Sequence, residues 1–361
     1  MGSATAAHSA RRGSSVVGLE QFTAAHTLGA SHGGTRLIRL AYFEGADYVP
    51  LLRRAYELWN DLEAQTVTTL RSRTGGIFVG TPQTNLISGT LASARAHDLA
   101  VEILDPEQLR LRHPQFLALP DEVGVFEPSA GAVFPEAAVR AHLRVAAEHG
   151  ADLRFETRVK NWAADAGHIS ITLDDGTNVR ARKLAICAGP WLNDVLDKRM
   201  PVRIERNVQV WFEPLDPDKF AERNFCAFAL ERDGKFFYGF PDYGDGVKCA
   251  FHHTGDFTTP QQLQRDVSQA EIERNRAQLA AFIPGAAGRY RSASACMYAL
   301  TPDEHFVIGP HPNHQNVYVA GGFSGHGFKF CPVVGEIMAD YLLDGGSRHA
   351  VAMFSPTRFS N

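Results

Sequence analysis

The sequence predicts an α/β protein of two units, on three observations. The chain opens with a helix, a glycine, a short strand and a terminal acid (Ser3 to Glu20), the order of the second half of a dinucleotide-binding βαβ unit. It closes on an apolar strand at Val317 to Ala320, a glycine-rich turn and an apolar helix. Between them, from about Val202 to Tyr298, alternating and aromatic runs read as β structure. A chain of 361 residues is long enough for two cores. The mixed order implies discontinuous units: 1–71, 136–203 and 304–361 as a Rossmann-like unit, 72–135 and 204–303 as an α+β unit with a mixed or antiparallel sheet.

The elements follow in order. Ser3 to Arg12 is alanine-rich and stops at Gly13, a helix with its C-cap. Val16 to Leu19 is a strand whose end, Glu20, stands where an acid accepts hydrogen bonds from a ribose hydroxyl. Val49, Leu52, Ala55, Leu58, Trp59 and Leu62 recur at helical spacing within Tyr48 to Glu63. A strand is expected at Gly75 to Val79, helices at Leu91 to Asp98 and Glu136 to His149, and a strand near Leu153 to Phe155. Ile169 to Leu173 with the turn Asp174-Asp175-Gly176 reads as a hairpin. Leu184 to Trp191 is an apolar strand ending in a tight Gly-Pro turn, the pattern of a central parallel strand whose end abuts a ligand. Strands are expected at Val208 to Phe212, Lys235 to Phe240 and Val247 to Phe251, and a helix at Ala270 to Phe282. The last helix carries Val334, Ile337, Met338, Tyr341 and Leu342 on one face.

Composition removes several function classes. A net charge of -4 offers no basic field for a phosphate backbone, so no nucleic-acid partner is expected. No apolar run reaches the length of a membrane span, and no membrane association is expected. Five scattered cysteines without C-x-x-C spacing argue against a disulfide framework and a zinc site, and fit a reducing cytoplasm.

A few stretches carry chemistry. Gly29 to Arg39 is too glycine-rich for a helix interior and ends in Arg36 and Arg39. On local pattern it reads first as a surface loop with solvated arginines, and second as a loop offering N–H groups and guanidinium forks to anionic groups. His252 at a strand end, with His253 beside it, is as readily structural as functional, and no acid or cysteine stands at metal-ligand spacing. Cys296 alone reads as a small buried hydrophobe. Lys329, directly after Gly325-His326-Gly327-Phe328, is a charge in a place that demands a partner or a ligand.

Taken together, Cys296-Met297-Tyr298 followed by Asp303-Glu304-His305-Phe306, and Phe323-Ser324-Gly325-His326-Gly327-Phe328-Lys329-Phe330, resemble the monomeric sarcosine oxidase and N-methyltryptophan oxidase family. Gly29 to Arg39 is similar to that family's G-S-H-H-G-D-T-R-x-I-R segment, with Gly34 in place of its Asp, and Tyr238-Gly239-Phe240-Pro241 with Lys248 and His252 to its Y-G-F-P…K…H series. The resemblance runs from Met1 to about Phe354 and is weakest between Val67 and Glu136.

It implies an FAD-dependent oxidase of N-methyl or other secondary amino acids, with the flavin covalent on Cys296, dioxygen as electron acceptor and peroxide as product. It also implies a monomer. Arg39 and Lys329 would hold the substrate carboxylate, Lys329 would also promote the oxygen step, and His252, Tyr238 and Tyr298 would shape the amine pocket. Gly2, Glu20, His32, Thr35, Arg36, Val159, Gly189, Trp191, Gly325, Gly327 and Lys329 would neighbour the cofactor.

The family begins with a strand and a Gly-x-Gly-x-x-Gly turn, and Met1-Gly2 coincides with the last glycine of that turn. The first strand is thus missing from the Rossmann-like unit, and the expectation is a native chain that begins upstream. Two other readings stand beside the oxidase: a dehydrogenase using another acceptor, and a silent relative that has lost FAD.

Overall fold

The computed structural model describes residues 1–165 and 167–359. Four helices bury their apolar stripes against one another: Gly2–Arg11, Val49–Thr66, Pro135–Glu148 and Cys331–Asp344. The first and last approach backbone to backbone at Gly335, where an added Cβ would lie 2.5 Å from Ala4 Cβ and 2.6 Å from its carbonyl carbon. The alanines of the opening helix are what make this contact possible. Short strands flank these helices: Val17–Leu19 pairs in parallel with Asp152–Arg154, and Leu184–Ile186 in parallel with Val317–Gly321. The hairpin Val159–Asp165, His168–Leu173 and Asn178–Ala181 closes one side over a separate apolar cluster.

The rest of the chain builds around a nine-stranded sheet. From one edge it runs Tyr290–Leu300, Arg203–Phe212, Val247–Phe251, Lys235–Phe240, Ala227–Arg232, Gly76–Gly80, Val123–Glu127 and Glu102–Leu104, with Phe257–Thr258 also on Arg203–Phe212. All pairs are antiparallel except Ala227–Arg232 with Gly76–Gly80. The mixed α/β architecture and the mixed sheet are those expected from sequence.

Registers decide which side chains share a face. Tyr238 opposes Ala250, which opposes Gln209, which opposes Ser294. Side chains alternate with a period of two, so Tyr238, Lys248, His252, Cys296 and Tyr298 all stand on one face. The other face carries Val208, Val210, Phe228, Phe237 and Cys249, packed on Leu279 and Phe282 of the helix Gln269–Phe282.

Two expectations need correction. The helix expected at Leu91 to Asp98 runs Asn85–Ala96. Its first turn is secured from a distant strand, where Glu231 Oε2 accepts from Leu86 N at 2.7 Å, a cap that local sequence does not display. Leu184–Ile186, expected as a central strand, pairs only with Val317–Gly321 among the described residues.

Candidate functional site

One cavity of about 1370 Å³ runs from the start of the first helix, past the ends of the parallel strands and under the glycine-rich loop, to the polar face of the large sheet. Its lining includes Gly2, Glu20, Arg36, Arg39, Val159, Gly189, Trp191, Tyr238, His252, Tyr298, Gly325, Gly327 and Lys329, all singled out from sequence. Cys296, His32 and Thr35 lie behind that lining, buried.

At the first end, Glu20 follows its strand, and its Oε1 accepts from Phe22 N at 3.0 Å. Gly189 has φ +55°, and a Cβ built on it would meet nothing within 4 Å. The wall here is bare backbone facing open space.

In the middle, the glycine-rich loop is tied down on both sides. Glu136 Oε1 accepts from Gly33 N and Gly34 N at 2.7 and 3.2 Å. Lys248 Nζ donates to Gly33 O, Thr35 O and Thr35 Oγ1 at 2.7, 2.8 and 3.2 Å. Burial carries the Lys248 ammonium well below its ordinary range, and the charge of Arg36 adds to it. Arg36 Nη2 reaches Ala30 O at 2.9 Å and Cys296 Sγ at 3.5 Å. His32 is held neutral, its pKa lowered by burial to about 3, and its Nε2 has no hydrogen-bond partner.

At the far end stand two buried cations. Arg39 directly follows the strand Arg36–Ile38, which pairs with Gly131–Val133. Its Nη2 meets Glu44 Oε2 at 2.5 Å, its Nη1 meets Ala41 O at 3.0 Å, and its Nε is buried without a partner. Tyr42 and Phe43 flank the guanidinium with ring centroids at 4.5 and 4.4 Å. Lys329 Nζ donates to His326 O at 2.7 Å and, at 3.5 Å, to Tyr42 OH. An ammonium has three protons, so one N–H remains for a ligand. Burial and then the charge of Arg39 pull Lys329 down to about 7, while Glu44 pushes it back up.

The tautomer of His326 follows from its partners. Nε2 faces Glu304 O at 3.0 Å and must donate, which leaves Nδ1 to accept from Tyr42 OH at 2.5 Å. Tyr42 therefore accepts from Lys329 and donates to His326. Opposite, Tyr298 OH stands 3.3 Å from both Tyr238 OH and His252 Nδ1. Burial lowers His252 well below its ordinary range, with His253 contributing, so its ring is neutral. Phe43 and Phe236 close the aromatic wall, ring centroids 5.3 Å apart, and Phe236 packs on His252 at 5.1 Å.

Glu44, Tyr42, Phe43 and Phe236 escaped the sequence reading. An acid five residues after a buried arginine was the available signal for Glu44. The others read as ordinary core residues until the register places them.

The FAD dependent oxidoreductase (DAO) family model matches residues 1–341. A monomeric sarcosine oxidase of Streptomyces avermitilis is 41% identical, the match covering 100% of this chain and 95% of the relative. One from a Bacillus sp. (strain B-0618) is 35% identical over 99% and 93%. An N-methyl-L-tryptophan oxidase of Yersinia pestis is 32% identical over 99% and 96%. Among solved structures, the open form of NikD, an unusual amino acid oxidase essential for nikkomycin biosynthesis, superposes with a TM-score of 0.85 at 24% identity, covering 98% of this chain and 94% of the other.

Proposed function

The chain belongs to the FAD-dependent oxidoreductase (DAO) family, and from that premise we propose that it is an amine oxidase acting on N-methyl or other secondary amino acids, with dioxygen as acceptor. The observation that carries the reading is the pair of buried cations, Arg39 and Lys329, facing a neutral His252 and two tyrosines in a single cavity.

The residues fit the cofactor. A cavity of about 1370 Å³ exceeds the roughly 300–1,000 Å³ of a drug-sized site and leaves room for a dinucleotide and a small substrate. Bare backbone at Gly189 permits close approach, and Glu20 stands at a strand end suited to a ribose. Gly2, Val159, Trp191, Gly325 and Gly327 would hold the remainder from the lining, with His32 and Thr35 of the glycine-rich loop supporting from behind that lining. When bound, the flavin supplies a two-electron acceptor for the C–H next to the substrate nitrogen.

The chain's own residues do the rest. The free N–H of Lys329 and the unpartnered Nε of Arg39 bind the substrate carboxylate, in a site where burial strengthens both contacts. Glu44 offsets one positive charge, so a single carboxylate neutralises the site. His252, Tyr238 and Tyr298 line the amine side without an acid, which favours the neutral amine that oxidation requires. The product imine hydrolyses in water to an aldehyde and an amine.

The oxygen step calls for a fixed buried cation beside the site of developing negative charge. Lys329 has a free donor, but the carboxylate competes for it. Lys248 does not itself line the cavity, but its Nζ, held by three oxygen acceptors, is a second buried amine that the substrate carboxylate does not occupy. Covalent attachment through Cys296, a monomeric state and a cytoplasmic location belong to the same proposal. Arg36 beside the thiol supports the first of these, because its Nη2 donates to Sγ at 3.5 Å and fixes the position of the sulfur.

A peroxide-coupled assay of the purified yellow protein against sarcosine, N-methyltryptophan, pipecolate and proline tests the reading. One peroxide per amine consumed is expected. Turnover seen only with an artificial electron acceptor would transfer the activity to a dehydrogenase, and a colourless protein that takes up no FAD would remove it.

A further inference from the structure

Away from the cavity wall just described, Asp197, His311 and His314 bring one ligand atom each to within 4.8 Å of one another. Asp197 lies in the turn after the helix Leu192–Val195, and the two histidines lie in the connection between Val307–Pro310 and Val317–Gly321. From these three side chains we propose a binding site for a borderline divalent transition-metal ion of the zinc type, with the fourth position left to water.

The first support is the direction of His311. Its side chain is fully buried, and its Nε2 has no hydrogen-bond partner although Asp197 Oδ1 is 3.0 Å away. The carboxylate oxygen is close to the nitrogen yet lies off its N–H axis. Two ligands of one ion meet in this way, each aimed at a shared centre instead of at each other. His314 Nε2 approaches the other oxygen, Oδ2, at 2.6 Å. Ligands at about 2.0–2.1 Å from a tetrahedral ion stand roughly 3.3 Å apart, so admitting one needs only a small opening of the cluster.

The second support is the donor set, two imidazoles and a carboxylate, which suits zinc, nickel or copper better than calcium or magnesium. Trp162 packs edge-on against both imidazoles, with centroids at 5.9 and 5.0 Å, and fixes their planes. Two local features oppose the ion. Lys198 adds a neighbouring positive charge. Asn313 N donates to His311 Nδ1 at 3.2 Å, which places the ring proton on Nε2. Coordination through Nε2 moves that proton to Nδ1, where it would face the Asn313 N–H donor to donor, so the Asn313 amide must turn away. Sequence spacing concealed the cluster, because 117 residues separate Asp197 from His314.

The ion would clip the two loops together at the outer end of the cavity, whose lining includes Trp162, Asp194 and Val195. The experiment uses the flavin-loaded protein, stripped with a chelator and desalted, then titrated with zinc against a chromophoric competitor. One equivalent per chain is expected, with a rise in Tm. His314→Ala and Asp197→Asn should weaken that equivalent by at least about tenfold while amine oxidation is retained. His314 is partly exposed, so its variant should fold, and circular dichroism checks this. Nickel should quench tryptophan fluorescence in the parent and lose that effect in Trp162→Phe. A parent that takes up no zinc, or variants that bind it as tightly as the parent, would overturn the proposal.

Discussion

Arg36 Nη2 lies 3.5 Å from Cys296 Sγ, bringing a guanidinium against a thiol across 260 residues of chain. The thiol sits just behind the cavity lining, with Ala30 O 3.8 Å away. The guanidinium donates to the sulfur and fixes its position for attachment to a flavin ring. Cys296→Ala should therefore keep FAD under native conditions and release it on acid precipitation. Arg36→Gln should attach flavin more slowly without changing total flavin. In-gel flavin fluorescence after denaturing electrophoresis reads both, and a fluorescent Cys296→Ala band would contradict the assignment.

Lys329 sets a pH dependence. Its folded value, lowered by burial to about 7, means that the free site loses its ammonium as pH rises through neutrality. A carboxylate ligand binds the protonated form. Affinity should be full below about pH 7 and fall about tenfold per unit above it. The ligand must not itself titrate in this range, so methoxyacetate is suitable and a secondary amine is not. Perturbation of the flavin spectrum at several pH values gives the affinities. Lys329→Met should bind at least tenfold more weakly and show a flat profile. A sloping profile in that variant would move the titration to another group.

The two buried lysines should separate in the two half-reactions. Lys329→Met is expected to slow reduction of the flavin by substrate, because the carboxylate is misplaced. Lys248→Met is expected to slow reoxidation of the reduced flavin by dioxygen by at least tenfold, corresponding to at least about 1.4 kcal/mol of lost charge stabilisation. Stopped-flow mixing of anaerobically reduced enzyme with oxygen isolates the second step. Slow reoxidation in Lys329→Met alone would return the oxygen role to Lys329.

Much of this site was legible because its carriers are short, rigid motifs. The alternation of Tyr238 with Phe240 and of Lys248 with His252 places the residues of each pair on one face of a strand, and the face could be read from period two alone. What could not be read was which face meets the cavity, since that depends on registers between strands far apart in sequence. Glu44 and Tyr42 illustrate the same limit, as their importance lies in contacts with Arg39 and with His326 and Lys329. The segment between Val67 and Glu136 was the poorest, although Asp105 and Gln108 form a capping box at the helix Pro106–Arg112. Its strands are short and join the sheet beside Ala227–Arg232, a partner supplied much later in the chain.

Two glycines should respond differently to alanine. Gly325 has φ +79°, and a Cβ there would lie 2.6 Å from two ring atoms of Tyr298. Gly189 has φ +55° and open space. Both changes carry the left-handed backbone cost of about 1–2 kcal/mol. Only Gly325→Ala also displaces Tyr298, and with it the contacts to His252 and Tyr238. Its KM for the amino acid should rise at least tenfold, whereas Gly189→Ala should chiefly weaken flavin retention. Similar substrate kinetics in the two variants would show that Tyr298 does not shape the amine pocket.

Glu127 positions Arg39 without touching any ligand. Its carboxylate is buried and accepts from Leu40 N at 2.7 Å, Ala41 N at 3.0 Å and Ser129 Oγ at 2.5 Å. The two backbone donors belong to the residues directly after Arg39, so the acid fixes the path of the chain that aims the guanidinium. Glu127→Gln keeps the shape but replaces one acceptor oxygen with an NH2 group. At least one buried donor then faces another donor, at a cost of about 1–3 kcal/mol. Denaturant unfolding should register that loss. The positioning role predicts more: KM for the substrate should rise while flavin reoxidation by oxygen stays unchanged, because neither Lys248 nor Lys329 is bonded to Glu127. A variant that loses stability but keeps its KM would reduce Glu127 to a structural acid.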